Sequence, residues 1–257
     1  MRYLGGKARV GRKIATFLND INRGQPYWEP FVGACGVMQH VEAPRRYGSD
    51  ACVPLIRMWE EAQHGWLPPE HVTPEDYAAA QRGEVPPHLQ AFVGFGCSWA
   101  GKWFGGYARG KQHPSRRVTE RNYAQNASRS VVKIAEKVRE VQFFAADFFA
   151  AEPPEPGCLI YCDPPFAGTT GYARLPPFCP ESFWERCRDL SRKGHTVAVS
   201  EYTAPPDWEP ALVVRTKRAK RPGHGSAQSK RYVGDQVVGD NTDPEVDVES
   251  VYLRRED

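Results

Sequence analysis

Asp163-Pro164-Pro165-Phe166 is the stretch of this chain best suited to chemistry. It follows the apolar run Cys158-Leu159-Ile160-Tyr161-Cys162, which reads as a short buried strand. Two prolines then stop strand pairing, because proline has no N–H and fixes φ. A carboxylate is thereby set at the carboxyl end of a core strand, on a stiff turn, with an aromatic ring beyond it. Open α/β sheets bind ligands at that end of their strands. Such a turn suits an amino group held between a carboxylate and a backbone carbonyl, its ring stacked on the aromatic. A strand followed by an ordinary proline turn would read the same way, so the motif needs support from elsewhere.

Four other groups of residues offer it. Glu29-Pro30-Phe31-Val32-Gly33-Ala34-Cys35-Gly36 closes an earlier strand, and Gly33 and Gly36 allow a sharp turn and close approach of a ligand. A helix is expected to follow that turn. Neither GxGxxG nor GxxxxGK[ST] is present, so a phosphate loop is not indicated. Asp50 ends a second strand, 17 residues past Gly33. It suits ribose hydroxyls, or equally the cap of the next helix. Tyr3-Leu4-Gly5-Gly6-Lys7 precedes everything else. Asp147-Phe148 follows a third strand and suits an adenine, amino group on the acid and ring on the ring; a cap beside a core phenylalanine is the plainer alternative.

The elements that must position these groups alternate along the chain. Strand-like runs lie at Tyr27–Val32, Arg46–Ser49, Val141–Ala145, Leu159–Cys162, Thr196–Ser200, Leu212–Arg215 and Val248–Leu253. Helical spacing appears in Ala8–Leu18, Val53–Trp66 and Glu181–Lys193. This order predicts an α/β fold with a mostly parallel sheet and its last strand inserted antiparallel. From about Gly65 to Ala127 the pattern breaks into a run rich in Pro, Gly, Trp and charge, long enough to predict a functional insert.

The chain has 257 residues, 40% of them hydrophobic, and a formal net charge of +3. No apolar run approaches a membrane span, and the first residues have no signal-peptide character. Seven cysteines without CxxC spacing argue against a disulfide framework and a structural zinc site. A reducing, cytoplasmic setting is the expectation. Charge is segregated: Arg215 to Arg231 holds seven basic residues and no acid, and acids dominate from Gly234 on. A second basic stretch mixes Lys102, Arg109, Lys111, Arg116 and Arg117 with Trp103, Phe104 and Tyr107. Basic side chains interleaved with aromatics suit a phosphate backbone and unstacked bases.

Taken in order, RYLGGK, EPFVGACG, the acid after the second strand, FFAADFF and CLIYCDPPF resemble the Dam-type DNA adenine-N6 methyltransferases. The likeness extends to Gly194–Ser200 and to the basic segment before Val248–Leu253. It implies a class I methyltransferase fold: a Rossmann-like, mostly parallel seven-stranded sheet with helices on both faces. The catalytic domain would comprise residues 1–54 and 139–257, with 55–138 an inserted target-recognition region.

The resemblance further implies S-adenosylmethionine as cofactor and double-stranded DNA as partner, with no metal and no membrane, in a prokaryotic or phage-type enzyme. Tyr3, Gly6 and Lys7 would close the cofactor site. Glu29, Pro30, Phe31, Gly33 and Gly36 would wrap the methionine part, Asp50 the ribose, and Asp147 and Phe148 the adenine. Asp163 would lie where cofactor and target meet. With Pro164 and Pro165 it would grip the exocyclic N6 of a flipped adenine, while Phe166 stacks on the base. The family more often has Tyr in place of Phe166. Arg215, Lys217, Arg218, Lys220 and Arg221 would hold phosphates, and the insert, including Lys102, Arg109, Lys111, Arg116 and Arg117, would read bases. An N4-cytosine methyltransferase needs the same grip, though such enzymes tend to have Ser where Asp163 stands. A non-catalytic DNA-binding protein on this scaffold would predict lost motif residues, whereas Lys7, Asp50 and Asp163 are all present.

Overall fold

The computed structural model describes residues 1–109, 122–165, 178–217, 232–233, 236–237 and 246–254. Helix α1 (Gly11–Ile21) precedes β1 (Tyr27–Glu29), which leads through a 3-10 turn at Met38–His40 to β2 (Arg46–Asp50). Helices α2 (Val53–Gln63), α3 (Pro74–Arg82), α4 (Pro87–Ala91) and α5 (Tyr123–Lys137) come next. Strands β3 (Val141–Ala145) and β4 (Leu159–Cys162), helix α6 (Pro180–Arg192), and strands β5 (Thr196–Glu201) and β6 (Trp208–Lys217) follow. A small hairpin, β7 (Tyr232–Val233) and β8 (Gln236–Val237), precedes β9 (Val246–Arg254).

Seven strands form one sheet in the order β3-β2-β1-β4-β5-β9-β6. The first five are parallel, and β9 runs antiparallel between β5 and β6. This is the expected Rossmann-like, mostly parallel seven-stranded architecture, with the last strand inserted antiparallel as predicted. The chain leaves β1 toward β2 and β3, then returns to place β4 on the other side of β1. The topological switch point therefore lies between β1 and β4, where open α/β sheets form a ligand crevice.

Both faces of the sheet are covered, which is why its central strands read as unbroken apolar runs. In β4, Leu159 and Tyr161 join a core with α1, α2 and α5, while Ile160 and Cys162 join a second core with α6. Leu55, Ile56, Met58 and Trp59 of α2 and Val131 and Ile134 of α5 are part of the first core. The seven cysteines are free thiols, five of them buried. No described helix is long and apolar enough to cross a membrane.

Several local expectations differ from the structure: β1 ends at Glu29 rather than Val32, where Pro30 has no N–H to extend the ladder, and β6 spans Trp208–Lys217 rather than Leu212–Arg215. Helix α1 begins at Gly11 rather than Ala8, because residues 7–10 form a turn in which the Lys7 carbonyl accepts the N–H groups of Val10 (3.0 Å) and Gly11 (2.6 Å). No α-helix follows the glycine turn. The Val37–Val41 stretch instead makes a single 3-10 turn before the chain enters β2.

Gly11 is where this start is pressed onto the sheet: a Cβ there would lie 2.0 Å from the Gly36 carbonyl oxygen. Both partners are backbone, so neither can swing aside. Gly→Ala normally favours a helix by roughly 1 kcal/mol. Here the sign should reverse, with Gly11→Ala destabilising the protein by about 2 kcal/mol through overpacking. Equilibrium urea unfolding checks this, and an unchanged or higher midpoint would show that the contact is relaxed in solution.

Candidate active site at the switch point

Charged side chains gather at the carboxyl ends of β1, β4 and β5, as the topology requires. Asp163 follows β4, Glu29 ends β1 and Glu201 ends β5. Lys7 reaches them from the N-terminal segment, and Glu249 from the middle of β9. The Lys7 ammonium donates to Asp163 Oδ1 at 2.6 Å and lies 3.1 Å from Glu249 Oε1. Lys7 is only 6% exposed, Asp163 16% and Glu249 15%. Behind them, the Tyr27 hydroxyl donates to Glu29 Oε2 at 2.9 Å, and Tyr161 Oη lies 2.7 Å from Ser200 Oγ.

Burial governs the charge states. It pushes the Asp163 carboxyl up to about 6; Lys7 opposes the shift and Glu249 adds to it. Burial alone would lower Lys7, but Asp163 and Glu249 overcome it and hold the ammonium up to about 12. Glu29 is driven well above the usual carboxylate range by burial, against the Tyr27 hydrogen bond. Burial takes Glu201 up to about 7, against the N–H of Tyr202. Around one fixed cation, then, lie several carboxyl groups in a poorly solvated crevice. Such a crevice favours a ligand that carries positive charge.

The N-terminal segment that delivers Lys7 is itself docked. Gly6 N–H donates to the Tyr3 carbonyl at 3.0 Å, closing a turn, and Leu4 N–H donates to Gly101 O at 3.0 Å. The Tyr3 ring lies over Gly33 and tilts against Phe95, with centroids 4.8 Å apart. Gly33 (φ 47) and Cys35 (φ 54) take left-handed conformations that let the turn double back.

Asp50 is 7% exposed and accepts from Gly33 N–H at 3.1 Å and Cys52 N–H at 2.9 Å. It ties the glycine turn to β2 and is not the N-cap of α2, a position taken by Cys52. Burial raises its carboxyl to about 6, against those two bonds. Two further lone-pair directions remain for a ligand hydroxyl. Asp147 accepts from Phe149 N–H at 2.8 Å, and Phe148 is buried against Phe31, Phe183 and Trp28. Both sit after β3, away from the Lys7 cluster in the strand order. Pro30 and Pro164 are buried, and Phe31, Gly36 and Pro165 are partly so.

Lys102 and Arg109 are exposed, the latter over the Tyr107 ring at 5.8 Å. Arg215 and Lys217 lie on β6. Phe166, Lys111, Arg116, Arg117, Arg218, Lys220 and Arg221 lie outside the described residues. No cluster of ligating side chains suited to a metal occurs among the described residues. A separate cavity of about 420 Å³, lined by Arg2, Tyr123, Asn126 and Ser130, lies at the start of the chain and shares no residue with the charged cluster.

Glu249, Glu201, Tyr27 and Tyr161 were not singled out by sequence reasoning. A signal existed for the first: a glutamate inside VESVYL, a strand of otherwise apolar and small residues, is unusual in a sheet interior unless paired.

No family model and no curated protein matches the chain. Two solved structures of the rRNA methyltransferase aviRa from Streptomyces viridochromogenes are similar to it at 11% identity. One has a TM-score of 0.40 and covers 96% of this chain and 84% of its own; the other has 0.37, with 96% and 83%. A likeness at these values carries no argument about what this chain does.

Lys7→Met should leave two buried carboxyl groups without their cation and destabilise the protein by about 3 kcal/mol at pH 8. The loss should shrink as pH falls, because burial already raises the Asp163 carboxyl to about 6: a group raised in the folded state contributes stability that is full below its unfolded value and is lost as pH rises through the folded one. Urea unfolding at pH 8 and pH 5.5 checks it; an equal loss at both would remove charge as the cause.

Proposed function

We propose that this protein is an S-adenosylmethionine-dependent DNA methyltransferase acting on the N6 amino group of adenine. The observation that carries the reading is Asp163, held by Lys7 on the Pro164-Pro165 turn at the switch point between β1 and β4. The residues present fit the cofactor: a cationic group suits the carboxyl-rich crevice, and the left-handed Gly33–Cys35 turn suits close approach. Tyr3, Gly6, Lys7 and Glu29 to Gly36 would hold its methionine part, and Asp50 its ribose. Asp147 and Phe148 would take the adenine after a shift of the Phe148 ring. When bound, S-adenosylmethionine supplies the methyl group on a sulfonium.

The N6 amino group is a poor nucleophile, since its lone pair is delocalised into the ring. The Asp163 carboxylate and the Pro164 carbonyl would accept its two N–H bonds and favour a more tetrahedral nitrogen. Asp163 also offsets the positive charge that develops on that nitrogen. Fixed acceptors in a dry site supply the rate by positioning and electrostatics. The target base must leave the duplex stack, and Phe166 would stack on it. Residues 55–138 would carry target recognition. Lys102, Arg109, Lys111, Arg116 and Arg117 would contribute there, and Arg215 to Arg221 would hold phosphates.

Incubation with labelled S-adenosylmethionine and unmethylated DNA, followed by nucleoside analysis, tests the reading. Label is expected in N6-methyladenine; label in N4-methylcytosine, or none, would overturn it. Asp163→Ala should bind cofactor yet lose at least about a hundredfold in kcat. The wild-type rate should fall as pH drops through about 6, where Asp163 protonates. A rate level down to pH 5 would exclude an ionised Asp163 as the acceptor.

The basic segment has its own test. Arg218→Ala with Arg221→Ala should weaken DNA binding and reduce the salt slope by about 2. Fluorescence anisotropy at several salt concentrations measures both, and an unchanged slope would remove these residues from the phosphate contacts.

A further inference from the structure

Lys7 stands between carboxylates from two different strands: its Nζ is 2.6 Å from Asp163 Oδ1 and 3.1 Å from Glu249 Oε1. The first contact is an aligned hydrogen bond. The second is a 3.1 Å ion pair, and Glu249 Oε1 is buried with no other partner among the described residues. A carboxylate so placed is unfavourable unless a nearby charge offsets it. Strand pairing does not need it either: Glu249 sits opposite Val214 of β6, and its neighbour Ser250 opposite Glu201 of β5.

What Glu249 does accomplish is geometric. The Lys7 backbone is fixed by the turn into α1 and by Gly36, whose missing Cβ leaves room for it. The lysine stem, with its rotatable bonds, is not fixed by that turn, and within its own segment the ammonium reaches the Gly5 carbonyl only at 3.5 Å. An ammonium free to move would reach either oxygen of Asp163. With a second anion on β9, the ammonium lies on the Oδ1 side, and Oδ2 accepts no bond from the described residues.

We propose that Glu249 is a positioning residue that anchors the Lys7 ammonium on Asp163 Oδ1 and so leaves Oδ2 open to the amino group of the target base. This rests on the methyl-transfer reading of the same site. Among the described residues, the ionisable groups about Asp163 are Lys7 from the N-terminal segment, Glu29 from β1, Tyr161 and Cys162 from β4, Glu201 from β5 and Glu249 from β9. Lys7 is the cation among them, so the orientation of Asp163 depends on where that ammonium rests.

Two measurements on the full chain test the proposal. The first is the ¹H–¹⁵N signal of the Lys7 ammonium, assigned by its loss in Lys7→Met; it should be visible in the wild type and vanish in Glu249→Gln. The second is a double-mutant cycle in kcat, with KM for DNA measured alongside. Glu249→Gln should lower kcat by about tenfold with KM little changed, and should cost nothing further in the Lys7→Met background. A persisting ammonium signal, or an equal cost of Glu249→Gln with and without Lys7, overturns the proposal. Should Glu249→Gln fail to fold, Glu249→Asp keeps the charge but withdraws it by one methylene. It should broaden the signal, and an unchanged signal overturns the proposal. If the wild type transfers no methyl group, the proposed function fails, and the ammonium signal alone then decides the anchoring.

Discussion

The site depends on one buried ion pair that joins the beginning of the chain to the middle of its sheet. A lysine ammonium almost wholly removed from water must find compensation nearby. Lys7 finds it in Asp163 at 2.6 Å and Glu249 at 3.1 Å. The pair accompanies the packing of Met1 and Tyr3 against the core although they belong to no strand or helix. Tyr3 covers Gly33, the turn at Lys7 abuts Gly36, and Gly11 touches the carbonyl of Gly36. Each contact is an approach of backbone or ring to a missing side chain, and together they hold Lys7 at the end of β4.

Electrostatics and topology act here together. Parallel strands that begin at one edge of the sheet end at the same opposite edge, and the reversal between β1 and β4 opens a crevice there. Carboxyl groups at those ends are partly dehydrated, so their protons bind more tightly than in water. Asp163 stays close enough to its ordinary range to be ionised at neutral pH because Lys7 opposes burial. Glu29, whose donors are the Tyr27 hydroxyl and the Met38 N–H and which has no ammonium in direct contact among the described residues, is driven much further. Two carboxyl groups near one another thus acquire different charge states from their different partners.

Much of the architecture was legible because a sheet covered on both faces writes itself as apolar runs. Cys158–Cys162 and Thr196–Ser200 were read at nearly their observed bounds, and β2, β3 and the antiparallel insertion of the last strand followed. Helix α3 went unread although its signal is local: Thr73-Pro74-Glu75-Asp76 forms a capping box with proline at the first helical position. Proline and charge crowd that stretch and mask the cap. Asp50 and Asp147 show the opposite case. Each suited a ligand or a local backbone bond, and each accepts a local N–H, Asp50 from Cys52 and Asp147 from Phe149, while Asp50 also accepts from Gly33 of the glycine turn.

From residue types and order alone came the stiff Asp163-Pro164-Pro165 turn after a buried strand, the glycine turn after β1, the alternation that makes a parallel sheet, and the segregation of basic charge. These are local properties, set by side-chain period, proline's missing N–H and glycine's freedom. Tertiary structure alone decided that Lys7 meets Asp163 across 156 positions of chain, and that Glu249 joins them from β9. It also decided that Tyr27 caps Glu29 and that Phe148 turns into the second core. The reason is physical: a charge's partner depends on which strand ends lie side by side, and that order is set by the crossovers of the whole sheet.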